Sequence, residues 1–151
     1  GIAPLLALAE HAKAKGINFR LVIGEKNADK IYPEHLLPAG IKPFITTEDG
    51  SLGQKGMVTD ILPQFISEAD QVFVCGPLPM YRAIAKMGKK LGNKPTQVLL
   101  ETVLGCGVGA CLSCSIETKR GRKLVCKDGP VFEFGDILWD KIAAPPAGRR
   151  C

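Results

Sequence analysis

Aromatic residues make up only 6% of this 151-residue sequence, with a single tryptophan, which leaves little from which to build a base-stacking surface for nucleic acid. No apolar run approaches the roughly 20 residues that cross a bilayer; the longest, Gly1 to Ala9, falls far short, and no membrane association is expected. Histidine is scarce as well. His11 lies on a helix flank and His35 in a Pro-bounded loop, both expected at the surface. What is present is 46% hydrophobic and 23% charged, the composition of one globular domain, alone or with a small appendage, and not of a disordered, collagenous or coiled-coil chain.

The net charge of +5 is local. Lys119, Arg120, Arg122 and Lys123 crowd around Gly121, and Arg149 and Arg150 sit in the tail; without these six, the basic residues roughly balance the 15 acidic ones. The cluster reads as a solvated turn, with a docking patch for an acidic partner as the alternative, and no nucleic-acid partner is expected. The first residue is Gly and the opening segment reads as the start of a helix, so further sequence is expected upstream.

Helical spacing of Leu5, Leu6, Ala9 and Ala12 over residues 4–15, stopped by Gly16, predicts a helix with one buried stripe. Residues 58–66 and 78–91 carry the same periodicity, with Lys89 and Lys90 complementing the dipole of the latter. Between them lie runs rich in β-formers at 19–24, 41–46, 71–75 and 97–100. Strands alternating with helices predict an α/β fold with an open, parallel, doubly wound sheet. After Glu101 glycine and cysteine dominate, and residues 115–118 and 123–126 flank a basic turn as a hairpin would. The expected division is a nucleotide-binding domain over 1–101, a small subdomain over 102–140 and a frayed tail over 141–151.

Cys106, Cys111, Cys114 and Cys126 are spaced C-x4-C-x2-C-x11-C. The first three fit the plant-type spacing for a [2Fe–2S] cluster, and a later cysteine completes the four thiolates. Gly105, Gly107 and Gly109 let the backbone wrap closely and turn N–H groups toward sulfur. Structural zinc, which more often uses two short paired knuckles, is the alternative, followed by disulfides or free thiols. Clustered cysteines of this kind favour a cytoplasmic, reducing location.

Candidate nucleotide contacts gather where predicted strands end. Gly1, Ile2, Ala3 and Pro4 open the first helix and would offer its N-terminal amides to a pyrophosphate, although four such residues also match ordinary helix starts. Glu25 follows the second strand of the expected fold, where an acidic residue would meet a ribose; neighbouring Lys26 leaves NAD and NADP both open. Thr47, Glu48, Asp49 and Gly50 follow the next strand, as ligand contacts or as a solvated acidic turn. Cys75, Gly76 and Pro77 end the next, with Cys75 either facing a nicotinamide or merely buried. No catalytic residue is assigned, since hydride transfer needs no protein nucleophile.

Taken in order, GIAPLLALA, TTEDGSLGQKGMVTD, VFVCGPLPMYRAI and CGVGACLSC followed by VCKDGPVF resemble the electron-transfer subunits of the dihydroorotate dehydrogenase B family, from Gly1 to about Trp139. The resemblance implies a ferredoxin reductase-like nicotinamide domain, lacking its first strand here, followed by a ferredoxin-type cluster domain. It implies NAD at the residues just named, a [2Fe–2S] cluster on the four cysteines, and FAD held mostly by an N-terminal domain upstream of Gly1. It also implies an FMN-containing dihydroorotate dehydrogenase catalytic subunit as partner, in a heterotetramer that serves pyrimidine biosynthesis. Alternatives are a related ferredoxin:NADP or sulfide dehydrogenase subunit and a non-catalytic, zinc-stabilised interaction module.

Overall fold

The computed structural model describes residues 1–88 and 94–142. Lys89, Lys90 and Leu91, the end of the predicted 78–91 helix, lie outside the described residues, as does the tail from Ala143 with Cys151. The chain divides into two compact units, Gly1–Ala69 and the part from Asp70 onward. Among the described residues no helix is long and apolar enough to cross a membrane.

The first unit runs α1 (Ile2–Ala14), β1 (Val22–Glu25), β2 (Phe44–Thr47), β3 (Gln54–Lys55) and α2 (Val58–Ile66), with two single 3-10 turns between β1 and β2. Its sheet is parallel throughout, in the order β1-β2-β3. α1 buries Leu6 and Ala9 and half-buries Leu5 and Ala12, while Glu10, His11 and Lys13 stay exposed, the amphipathic arrangement its spacing predicts. Leu6 and Ala9 pack with Leu21, Ile23 and Ile41 into one core. Gly16 ends the segment at φ 68, a left-handed conformation that glycine takes without a Cβ penalty.

Gly24 governs how α2 meets the sheet. It pairs with Thr46 across β1 and β2, and a Cβ there would stand 2.2 Å from Val58 Cγ2 and 2.9 Å from Thr46 Oγ1. Only glycine lets the first turn of α2 rest on the strand.

The second unit contains β4 (Val72–Val74), α3 (Leu78–Met87), β5 (Thr96–Leu99), β6 (Ser115–Thr118), β7 (Gly121–Leu124), the single turn α4 (Val125–Asp128) and β8 (Val131–Glu133). β4 and β5 pair in parallel, and β8 then adds to β5 antiparallel. The described strands therefore form two separate three-stranded sheets and the β6–β7 hairpin. The α/β class and its parallel pairing agree with the sequence; the antiparallel β8, supplied from beyond the cysteine segment, is a strand the sequence does not announce. Tyr81, Ile84, Val98, Phe134 and Trp139 are buried in this unit.

Three of the four basic side chains around the turn pair with carboxylates of this unit. Arg120 pairs with Asp136 at 2.9 Å, Arg122 with Glu117 at 3.1 Å and Lys123 with Asp128 at 3.8 Å.

Candidate metal centre and nucleotide edge

The cysteine segment folds around Cys106. Gly107 (φ 71) and Gly109 (φ 83) take left-handed conformations, and the intervening backbone curls so that three N–H groups donate to Cys106 Sγ. They are Ala110 at 3.2 Å, Cys111 at 3.4 Å and Val108 at 3.5 Å. This is an anion nest built on one sulfur. The Cys111 amide first, then those of Val108 and Ala110, bring the Cys106 thiol down to about 6 from its ordinary 9.0, so it is held as a thiolate at neutral pH. Leu112 also stands in the left-handed region, at φ 59, a strained choice for a residue with a Cβ.

Cys114 is buried and Cys126 half-buried. They are joined through the backbone, since the Val125 N–H donates to the Cys114 carbonyl at 3.1 Å. The Cys126 amide is the chief cause lowering the Cys114 thiol, while the interaction with Cys114 raises Cys126. The hairpin was expected to carry Cys126 on its second strand over 123–126; that strand instead spans Gly121–Leu124, and Cys126 falls in α4. All five described cysteines are free. Among the described residues no group of three Cys, His, Asp or Glu is placed so that it could hold a metal ion; Cys106 interacts with Cys111 and Cys114 with Cys126, and Cys106 also raises the Cys126 thiol.

The donor set nevertheless suits an iron–sulfur cluster. Amides converge on a sulfur, and Gly105 leaves room that a Cβ would fill, 2.9 Å from Cys111 Sγ. A cavity of about 450 Å³ adjoins the segment, lined by Leu100, Glu101, Thr102, Leu104, Gly107 and Cys126 among others.

Cys75 lies just beyond β4, buried, and its thiol donates to Glu101 Oε1 at 3.7 Å. Burial, then the Glu101 carboxylate, push this thiol up from 9.0. The Gly76 N–H donates to the Tyr81 hydroxyl at 2.9 Å, which in turn donates to the Leu99 carbonyl at 2.8 Å. Pro77 caps α3. Glu101, which also holds this turn, carries no sequence motif of its own; it reaches Cys75 only when β4 and β5 pair.

In the first unit β1 and β2 end side by side, Glu25 opposite Thr47. The pairing continues past the strands. Glu48 N–H donates to the Glu25 carbonyl at 3.1 Å, Asp49 N–H to that of Lys26 at 3.3 Å, and Ala28 N–H to Ser51 Oγ at 2.8 Å. Thr47 is fully buried, its hydroxyl donating to the Leu52 carbonyl at 2.8 Å and accepting the Leu52 N–H at 3.1 Å. The Asp49 carboxylate accepts the Ser51 O–H at 2.6 Å and N–H at 2.9 Å, contacts that hold it below the ordinary carboxylate range. Thr47 and Asp49 are thus engaged in shaping the loop, Gly50 turns it at φ 80, and Glu25 and Glu48 are exposed. Gly1 is the N-cap of α1, with Ile2, Ala3 and Pro4 in its first turn, where backbone N–H groups have no intrahelical acceptor.

Parallel α/β pairing followed by a cysteine-rich segment with an amide nest is a ferredoxin reductase-like arrangement. Residues 101–138 match the model of the iron–sulfur cluster binding domain of dihydroorotate dehydrogenase B. The chain is 38% identical, over 92% of its length and 56% of the relative's, to the dihydroorotate dehydrogenase B (NAD(+)) electron transfer subunit of Caldanaerobacter subterraneus subsp. tengcongensis. Identity to that of Bacillus caldolyticus is 36%, over 91% of this chain and 54% of the other. A probable subunit of the same name from Thermococcus kodakarensis is 38% identical, over 88% and 54%. Among solved structures, a chain from the NADH-dependent reduced ferredoxin-NADP oxidoreductase, described for flavin-based electron bifurcation, superposes with a TM-score of 0.80. It is 29% identical, over 93% of this chain and 51% of that one. The chain is therefore a relative of the dihydroorotate dehydrogenase B electron-transfer subunits with a ferredoxin reductase-like fold, and it spans about half the length of the curated relatives it matches.

Proposed function

We propose that the chain is part of an electron-transfer subunit that links NADH, by way of FAD and a [2Fe–2S] cluster, to the FMN-containing catalytic subunit of a dihydroorotate dehydrogenase. On this reading it works in the cytoplasm, in pyrimidine biosynthesis, within a heterotetramer. The observation that carries the reading is the set of three amides on Cys106 Sγ inside the segment that matches the iron–sulfur binding domain.

Cys106, Cys111, Cys114 and Cys126 are the proposed ligands, in a subdomain over 102–140, and residues 1–101 the nicotinamide domain. A [2Fe–2S] group supplies one-electron exchange, which a hydride donor such as NADH cannot match without a flavin between them. The chain's own part is to hold and orient. The first turn of α1, Gly1 to Pro4, offers amides to a pyrophosphate; Glu25 accepts hydrogen bonds from a ribose. The exposed rim of the Thr47–Gly50 loop borders the nucleotide, its shape fixed by Thr47 and Asp49. Cys75, Gly76 and Pro77 form the wall beside the nicotinamide, with Cys75 kept as a neutral thiol by burial and Glu101.

The likeness to the reduced ferredoxin-NADP oxidoreductase chain supports a second reading, the same module serving a ferredoxin:NADP system, and the identity of the co-purifying partner separates the two. The ligand set is tested by Cys111→Ser, which should abolish the visible iron–sulfur spectrum of the loaded chain while Cys151→Ser retains it. Loss in both, or in neither, contradicts the assignment.

A further inference from the structure

Ser113 stands between two of the proposed ligand cysteines and is exposed as a residue, yet its hydroxyl is held from two sides. The Gly105 N–H donates to Ser113 Oγ at 3.1 Å, and that oxygen lies 3.1 Å from Cys111 Sγ. Gly105 secures the arrangement by lacking a side chain, because a Cβ there would stand 2.9 Å from both Cys111 Sγ and Ser113 Oγ. The direction of the sulfur contact follows from proton inventory. A metal-bound thiolate has no proton to give, and the Gly105 amide occupies an acceptor position on the hydroxyl oxygen, so the Ser113 O–H is the donor.

We propose that Ser113 sets the reduction potential of the cluster by donating its hydroxyl to the Cys111 thiolate. The proposal rests on the iron–sulfur reading above and adds a residue to it. A donor to a ligand sulfur drains negative charge from it and favours the state that carries one more electron. The Gly105 amide fixes the hydroxyl beforehand, so the bond needs no reorganisation when the charge changes. Ser113 is a positioning residue, since it reaches the metal group only through the sulfur of Cys111.

The test is a redox titration followed by electron paramagnetic resonance on the full chain loaded with iron and sulfide under anaerobic conditions. Wild type, Ser113→Ala and Ser113→Thr are compared. Loss of the hydroxyl should shift the one-electron equilibrium about tenfold toward the oxidised form, a midpoint lower by about 59 mV, while the threonine variant keeps the wild-type midpoint. An alanine variant that binds iron with an unchanged midpoint overturns the proposal, as does a threonine variant displaced as far as alanine. Should Ser113→Ala take up no iron, resonance Raman spectra of the wild-type chain in H2O and D2O decide. Iron–cysteine bands that move on exchange support the bond, and bands that stay fixed overturn it. Absence of iron and sulfide from the wild-type chain overturns the iron–sulfur reading together with this inference, whereas a loaded chain with an unmoved alanine variant overturns this inference alone.

Discussion

The phenol ring of Tyr81 stacks on the indole of Trp139, centroids 5.1 Å apart and planes inclined by 29°, so a residue of α3 is packed against a 3-10 turn that follows the cysteine segment. Trp139 also meets Phe134 at 4.6 Å and donates its Nε1–H to the Phe134 carbonyl at 3.2 Å. Arg82 continues the junction, donating from Nη2 to the Ile142 carbonyl at 2.7 Å.

Tyr81→Phe keeps the stack and removes only the hydroxyl between the Gly76 amide and the Leu99 carbonyl. Leaving those two groups without a partner should cost about 1–3 kcal/mol. Trp139, the single tryptophan, reports the loss as an earlier fluorescence transition in urea. An unchanged midpoint would show that the hydroxyl does not brace the turn.

A methyl group at position 24 has nowhere to go. Gly24→Ala should destabilise the first unit by about 1–3 kcal/mol through overpacking, read as faster hydrogen exchange of the β1 and β2 amides. Adding Val58→Ala removes the group that a Cβ would meet at 2.2 Å and should recover most of the loss. A double variant no better than the single one would place the strain elsewhere.

The thiols should separate by pH in chain prepared without iron. Cys106, depressed to about 6 by amide donors, should be alkylated first at pH 7, and Cys75, raised by burial and Glu101, last. The linked stabilities run in opposite senses. The Cys106 contribution is complete above the ordinary thiol value and is lost as pH falls through about 6; that of Cys75 is complete below the ordinary value and is lost as pH rises through its elevated one. Mass spectrometry of time-resolved alkylation checks the order, and Cys75 reacting ahead of Cys106 would contradict it.

Much of this was legible because it is local. The stripe of α1 and the 58–66 helix each depend on residues within a turn or two of one another, and both fell where periodicity put them; the C-x4-C-x2-C spacing is equally local, and its ligand role is proposed above. Long-range pairing was harder to read. β8 is a three-residue strand, VFE, with no pattern of its own, and it exists because β5 offers an edge. The ion pair of Arg120 with Asp136 is not legible in the sequence, because Asp136 lies beyond the hairpin and the turn that follows it. The Thr47–Gly50 segment reads either as ligand contacts or as a solvated acidic turn, and the intra-loop hydrogen bonds of Thr47 to Leu52 and Asp49 to Ser51, which shape it, have no signature in the sequence. Ser113 has no signature in the sequence, because a serine between two cysteines takes on a role only when Gly105 is folded against it.

The central claim, an iron–sulfur electron-transfer module, is tested most directly by iron, sulfide and zinc content with a paramagnetic resonance spectrum after dithionite reduction, on protein prepared without oxygen. The account predicts two irons and two sulfides per chain and a signal that appears on reduction. Stoichiometric zinc with no such signal in freshly isolated protein would contradict it and leave the cysteines a structural site.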